Sequence, residues 1–159
     1  MRKYVLSSRK SEKGQSFVEL GLSMVFLIIL LSAVIDLGWA FFTMIALRDA
    51  AQEAATVGAI CPPKTATEEA KIRARAKASA SAPLDMSKFQ DSQINVCIVS
   101  PGSSTCGASV ALGNSVQVTI NYDHNIVTPF VGGFIGTQKY PLSARASDTI
   151  MRLNCDAIP

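Results

Sequence analysis

Apolar positions along this chain fall into three regimes. From Leu20 to Leu47 they are continuous, and Asp36 is the one ionisable residue in 28 positions. At about 1.5 Å per residue a helix of that run is about 42 Å long, enough to cross a hydrocarbon core of roughly 30 Å. Beyond Leu47 the pattern turns amphipathic and alanine-rich, with Ala46, Ala50, Ala54 and Val57 at helical spacing and Ala51, Ala55 and Gly58 beside them. That spacing predicts a narrow stripe of small side chains that allows another element to approach closely, in the first place the chain's own body and in the second another subunit. Both regimes read as one helix over residues 15–60, with its membrane-spanning part at about 20–42. Cys61-Pro62-Pro63 ends it, because proline cannot continue a helix and biases the preceding residue to extended backbone.

The third regime, residues 61–159, has room for one small domain. A second helix is expected from Thr65 to about Ala82, before Pro83, opened by a Thr65-x-x-Glu68 capping box. Lys71, Arg73, Arg75 and Lys77 form two exposed stripes on it, leaving Ala70, Ala74 and Ala78, and Ile72, Ala76 and Ala80, for packing. The basic stripes read as a solvated face before they read as a patch for anionic lipid or an acidic partner. After a polar turn region the period drops to two. Gln93–Val99 is rich in Ile and Val, Val116, Val118, Ile120 and Tyr122 alternate with polar residues, and Leu142, Ala144, Ala146 and Ile150 continue the alternation in a last strand. Between the last two strands, residues 126–137 (IVTPFVGGFIGT) are apolar, yet Pro129, Gly132, Gly133 and Gly136 argue for a loop. Phe130, Val131, Phe134 and Ile135 make it the candidate interaction surface outside the long helix. The fold class expected is α+β, a long membrane-spanning N-terminal helix leading into a small domain with a second helix and a three-stranded antiparallel sheet.

Charge sets the orientation. Residues 1–14 carry Arg2, Lys3, Arg9, Lys10 and Lys13 against Glu12, whereas the whole chain is only +3, so the rest is slightly acidic. The positive-inside rule then keeps the leader, residues 1–14, in the cytoplasm and sends residues 61–159 outside. The basicity is an orientation signal, which argues against a nucleic-acid partner. The apolar run is too long, and lacks the small-residue cleavage pattern, for a conventional secretory signal.

Cys61, Cys97, Cys106 and Cys155 all follow the apolar run and so would meet an oxidising compartment. Of three connectivities, Cys97 with Cys106 across a Pro-Gly turn and Cys61 with Cys155 from helix end to C-terminal region are favoured. A metal site is disfavoured: there is no C-x-x-C, and the single His124 completes no ligand set. Nor is there a motif for catalysis or for a cofactor, since His124 lies among turn-forming residues and no phosphate loop, zinc helix or calcium loop occurs.

Two acids remain. Glu19, at the start of the apolar run, either stays in the headgroup region or meets a cation, because an ionised carboxylate is costly in hydrocarbon. Asp36 lies about 25 Å further along the axis, at the outer boundary, just before Trp39, Phe41 and Phe42, which suit an interfacial aromatic belt. It is either solvated there or paired when helices bundle.

A basic leader ending in Gly14, Glu19 at the fifth position after it, and an uninterrupted apolar helix resemble the class III signal of type IV pilin-like proteins. The finer pattern, KGQSFVEL followed by VIDLGWAFFTMIALRDAAQEAATVGA, resembles TadE-like proteins of tight-adherence (Tad/Flp) pilus systems. Relatives often carry Phe or Tyr and then Ala after the glutamate, where this chain has Leu20 and Gly21. The resemblance implies a minor pilin-like subunit, not an enzyme, cut by a prepilin peptidase between Gly14 and Gln15 on the cytoplasmic side. It further implies that Glu19 and Asp36 serve assembly, Glu19 by meeting the new amine of Gln15 on a neighbour. Partners would be the membrane, the peptidase, other pilin-like subunits and the Tad machinery. The location would be the cytoplasmic membrane as a single span, or an extracellular pilus. The competing expectation is an uncleaved single-pass protein that presents an exported binding domain to a secretion or envelope complex.

Overall fold

The computed structural model describes residues 12–79 and 84–155, with side chains from residue 14 onward other than those of residues 130 and 134. The leader's Arg2, Lys3, Arg9 and Lys10, the expected end of the second helix at Ala82-Pro83, and the side chains of Phe130 and Phe134 therefore lie outside the described residues. The order of elements is α1 (Glu12–Ile60), α2 (Ala66–Ala78), two single-turn 3₁₀ segments (Met86–Lys88 and Asp91–Gln93), β1 (Ile94–Val99), β2 (Ser115–Asn125), α3 (Pro129–Ile135) and β3 (Lys139–Thr149). This is the α+β arrangement that the periodicity predicts. Contacts divide the chain into two units, one holding residues 1–37 and 126–138 and the other residues 38–125 and 139–159.

In the first unit, α1 is exposed at every position from Gly14 to Leu31. The helix is long and apolar enough to cross a membrane. Its hydroxyls do not spoil that: Ser23 Oγ donates to the Glu19 carbonyl at 2.8 Å and Ser32 Oγ to the Ile28 carbonyl at 2.9 Å. Each is satisfied by its own helix, as hydrocarbon requires.

The same unit contains α3, where a loop is expected from the sequence. The breakers bound a helix instead of preventing one. Thr128 is an extended N-cap, Pro129 takes the first helical position, where no N–H is needed, and Gly136 closes the far end at φ 80° with its N–H on the Gly132 carbonyl. Ile126 N–H donates to the Gln138 carbonyl at 2.9 Å and closes the base of the segment.

In the second unit, the far half of α1 and α2 pack on one face of the sheet. The strand order is β1-β2-β3, both pairs antiparallel, with Ile94 opposite Ile120 and Ile120 opposite Ala144. One core joins Leu47, Ala50, Ala51, Ala54 and Ala55 of α1, Ile72 and Ala76 of α2, Met86, Phe89, Ile94 and Ile98, Val116, Val118 and Ile120, Ala144 and Ile150. The small-residue stripe is therefore buried within the chain. On α2 only the stripe with Ile72 and Ala76 is buried, and Ala70, Ala74 and Ala78 are exposed. A helix laid on a sheet buries one side, and two rows offset by two residues lie about 160° apart and cannot both face it. The capping box is present: Thr65 Oγ1 accepts from Glu68 N–H, and Glu68 Oε2 accepts from the N–H groups of Thr65 and Lys64, each at 2.9 Å.

Candidate functional site

Asp36 comes from the middle of α1 and is 6% exposed, although Ile35 and Leu37 on either side are 56% and 74% exposed. Its carboxylate faces the start of α3. Oδ1 accepts from Val127 N–H at 3.0 Å, both oxygens accept from Thr128 N–H at 3.3 Å, and the Thr128 hydroxyl donates to Oδ2. The local cause is the extended backbone that leads into α3: the N–H groups of Val127 and of the N-cap Thr128 have no helical acceptor of their own. A carboxylate there makes charge-assisted bonds. Sequence reading singled out Asp36 but missed Val127 and Thr128, which lie 91 and 92 residues away. The legible signal was Thr128-Pro129 with Gly136 seven residues on, a helix start and stop rather than a loop.

Beside this contact the segment is apolar. Val127 is 65% and Ile135 56% exposed, and Val131 is half-buried. Gln138 is the last residue of the segment, and from Ile126 to it there is no ionisable side chain.

At the other end of the first unit, Gly14, Gln15 and Glu19 are all exposed. Among the described residues, no atom other than the adjoining helix backbone lies within 4 Å of where a Gly14 side chain would begin. The Gly14–Gln15 bond falls in the opening turn of α1, which begins at Glu12.

In the second unit Cys61 is bonded to Cys155 and Cys97 to Cys106. Glu68 lies near the first pair, but sulfurs joined to each other are not thiolate ligands. The second disulfide covers the sheet's back face, where Gln117, 6% exposed, points its Nε2 at Cys97 Sγ and Cys106 Sγ, 3.8 and 4.0 Å away. His124 lies within β2 and is 4% exposed, against the edge of Tyr122, whose other ring contact is a stack on Phe89. The turn expected at His124 is thus a continuation of β2, which runs to Asn125. The basic stripes of α2 are largely neutralised: Arg73 pairs with Glu69, Arg75 with Glu53, and Lys77 with Asp91.

Comparison with curated proteins and with solved structures gives no match. A family model described as TadE-like protein matches residues 14–56, so the similarity to TadE-like proteins lies in the long N-terminal helix, within which Gly14, Glu19 and Asp36 fall.

Proposed function

We propose that the chain is a minor pilin-like subunit of a Tad-type pilus system, structural rather than enzymatic. It is inserted with its N-terminus in the cytoplasm, cut after Gly14 by a prepilin peptidase, and passed to an assembly of other pilin-like subunits. The observation that carries this reading is the TadE-like match over a helix whose residues 14–31 are all exposed. Such a surface is solvated by lipid in the membrane and by other helices after assembly. Glu19, exposed at the inner end, is the acid available to a neighbour's new amine at Gln15. Asp36 already has partners in its own chain.

The test is the intact mass and N-terminal residue of protein taken from its native membranes, beside a Gly14→Ala control. A chain beginning at Gln15, with the control full-length, is the expected result. Glu19→Ala should then insert normally but be depleted from pilus preparations; equal recovery would remove that role. One observation favours the second reading, an uncleaved anchor presenting the exported body to an envelope complex: the bond after Gly14 lies within a helical turn, which a peptidase has to open. A native chain that retains its leader would leave a fixed membrane anchor and turn attention to the exported body.

A further inference from the structure

We propose that residues 126–138 form a second membrane contact, an apolar segment lying in the outer interface of the bilayer and held there by Asp36. This rests on the reading of α1 as membrane-spanning. Three observations converge on it. The segment has no ionisable side chain from Ile126 to Gln138, and it exposes Val127 and Ile135. It is bonded to α1 at Asp36, a position flanked by exposed Ile35 and Leu37 and about 25 Å beyond Glu19, where a helix reaches the far edge of the hydrocarbon.

The third observation is its backbone. Ile126 N–H donates to Gln138, Gly132 N–H to Thr128 and Gly136 N–H to Gly132, while Val127 and Thr128 N–H donate to Asp36. Water would satisfy these groups on an ordinary surface loop. At the edge of the hydrocarbon water is scarcer, and partners within the protein spare these groups from being buried unpaired. Asp36 and the start of α3 thus meet one need from two sides: a carboxylate that would be costly in the membrane gains donors, and amides that would be costly there gain an acceptor. The occupant is the outer leaflet, because the segment is bonded to the spanning helix at Asp36, between the exposed Ile35 and Leu37.

The experiment uses the full chain in lipid vesicles. Trp39 is the sole tryptophan, so Trp39→Phe clears the background, and Ile135→Trp or Phe26→Trp adds one reporter. Quenching is compared between lipids carrying a nitroxide near the headgroup, lipids carrying one at mid-chain, and aqueous iodide. The Trp at position 26 reports spanning alone, and its quenching by lipid establishes that premise independently. The Trp at position 135 should be quenched several-fold more by the shallow nitroxide than by iodide. Adding Asp36→Ala should reverse that preference at position 135 and leave position 26 unchanged. Iodide quenching at position 135 in the unaltered Asp36 background overturns the proposal. So does a buried signal that neither lipid nor iodide quenches, which would mean that a second copy covers the segment. An unchanged signal in Asp36→Ala, with the disulfides and helicity intact, removes Asp36 as the tether.

Discussion

Gly58 and Gly21 belong to one helix and have opposite surroundings. A methyl group at residue 58 would lie 2.7 Å from Val116 Cγ1 and 3.2 Å from Ile72 Cδ1, whereas at residue 21 it would meet nothing within 4 Å. The neighbours at 58 are a β-branched side chain in the central strand and a buried isoleucine, neither free to move aside. Overpacking of this kind costs about 1–3 kcal/mol, against which alanine recovers up to about 1 kcal/mol of helix propensity. Gly58→Ala should therefore lower stability by about 1 kcal/mol net, and Gly21→Ala should not, in denaturant titrations of the detergent-solubilised chain followed by a signal from the sheet. Equal stability of the two variants would place Val116 or Ile72 in softer packing than described. Gly58 was legible as a member of the small-residue stripe. Its partners, 14 and 58 residues away, were not, because periodicity reports which face is buried and not what covers it.

Among elements, α2 shows how far local chemistry reaches. Its capping box was legible as Thr65-x-x-Glu68, since both partners sit within one turn. Its packing face was ambiguous, because alanines occupy both rows and only the sheet decides between them. The first strand was legible from its Ile and Val content and the other two from alternation, whereas α3 was ambiguous, because Pro and Gly break a helix in its interior but bound it at its ends. The carboxylates around α2 also set a pH response. Desolvation pushes Glu68 up, but the hydrogen bonds from Thr65 and Lys64 together outweigh it and bring the group below its ordinary value. Lys77 lowers Asp91, and the Ser87 hydroxyl and Lys88 lower Asp85. A carboxyl depressed in the folded state contributes stability above its unfolded pKa of about 4, and that contribution is lost as pH falls through the folded value. Solvent screens these three groups, so melting temperature should show a plateau above about pH 5 and only a shallow fall below about pH 4. Asp91→Asn should flatten part of the fall, and an identical slope in that variant would assign it elsewhere. Separately, Thr65→Ala should cost about 1 kcal/mol at neutral pH.

Across the whole molecule the two disulfides act on very different lengths of chain. Cys97 and Cys106 are 9 residues apart, and Cys61 and Cys155 are 94 apart. Chain-entropy arguments assign about 2.6 kcal/mol to the shorter ring and about 4.7 kcal/mol to the longer. The longer one also joins a region already bonded to α1, where Met151 N–H donates to the Ala59 carbonyl. Replacing Cys61 and Cys155 together by Ala should therefore destabilise the chain more than replacing Cys97 and Cys106, by about 2 kcal/mol in denaturant unfolding. The reverse order would mean that the contact of Gln117 with the small ring outweighs loop length.

The pairing is nested, and nesting matters for a chain that arrives one end first. In the orientation proposed above, Cys61 and Cys97 reach the oxidising side before Cys106, and Cys155 arrives last of the four. A catalyst that joined thiols in order of emergence would link the first two and leave a foreign ring. Cys61 has to wait, or be released from a wrong partner by thiol–disulfide exchange. Maturation in that orientation thus calls either for oxidation that is delayed until Cys155 has emerged or for an isomerase that corrects the first pairings.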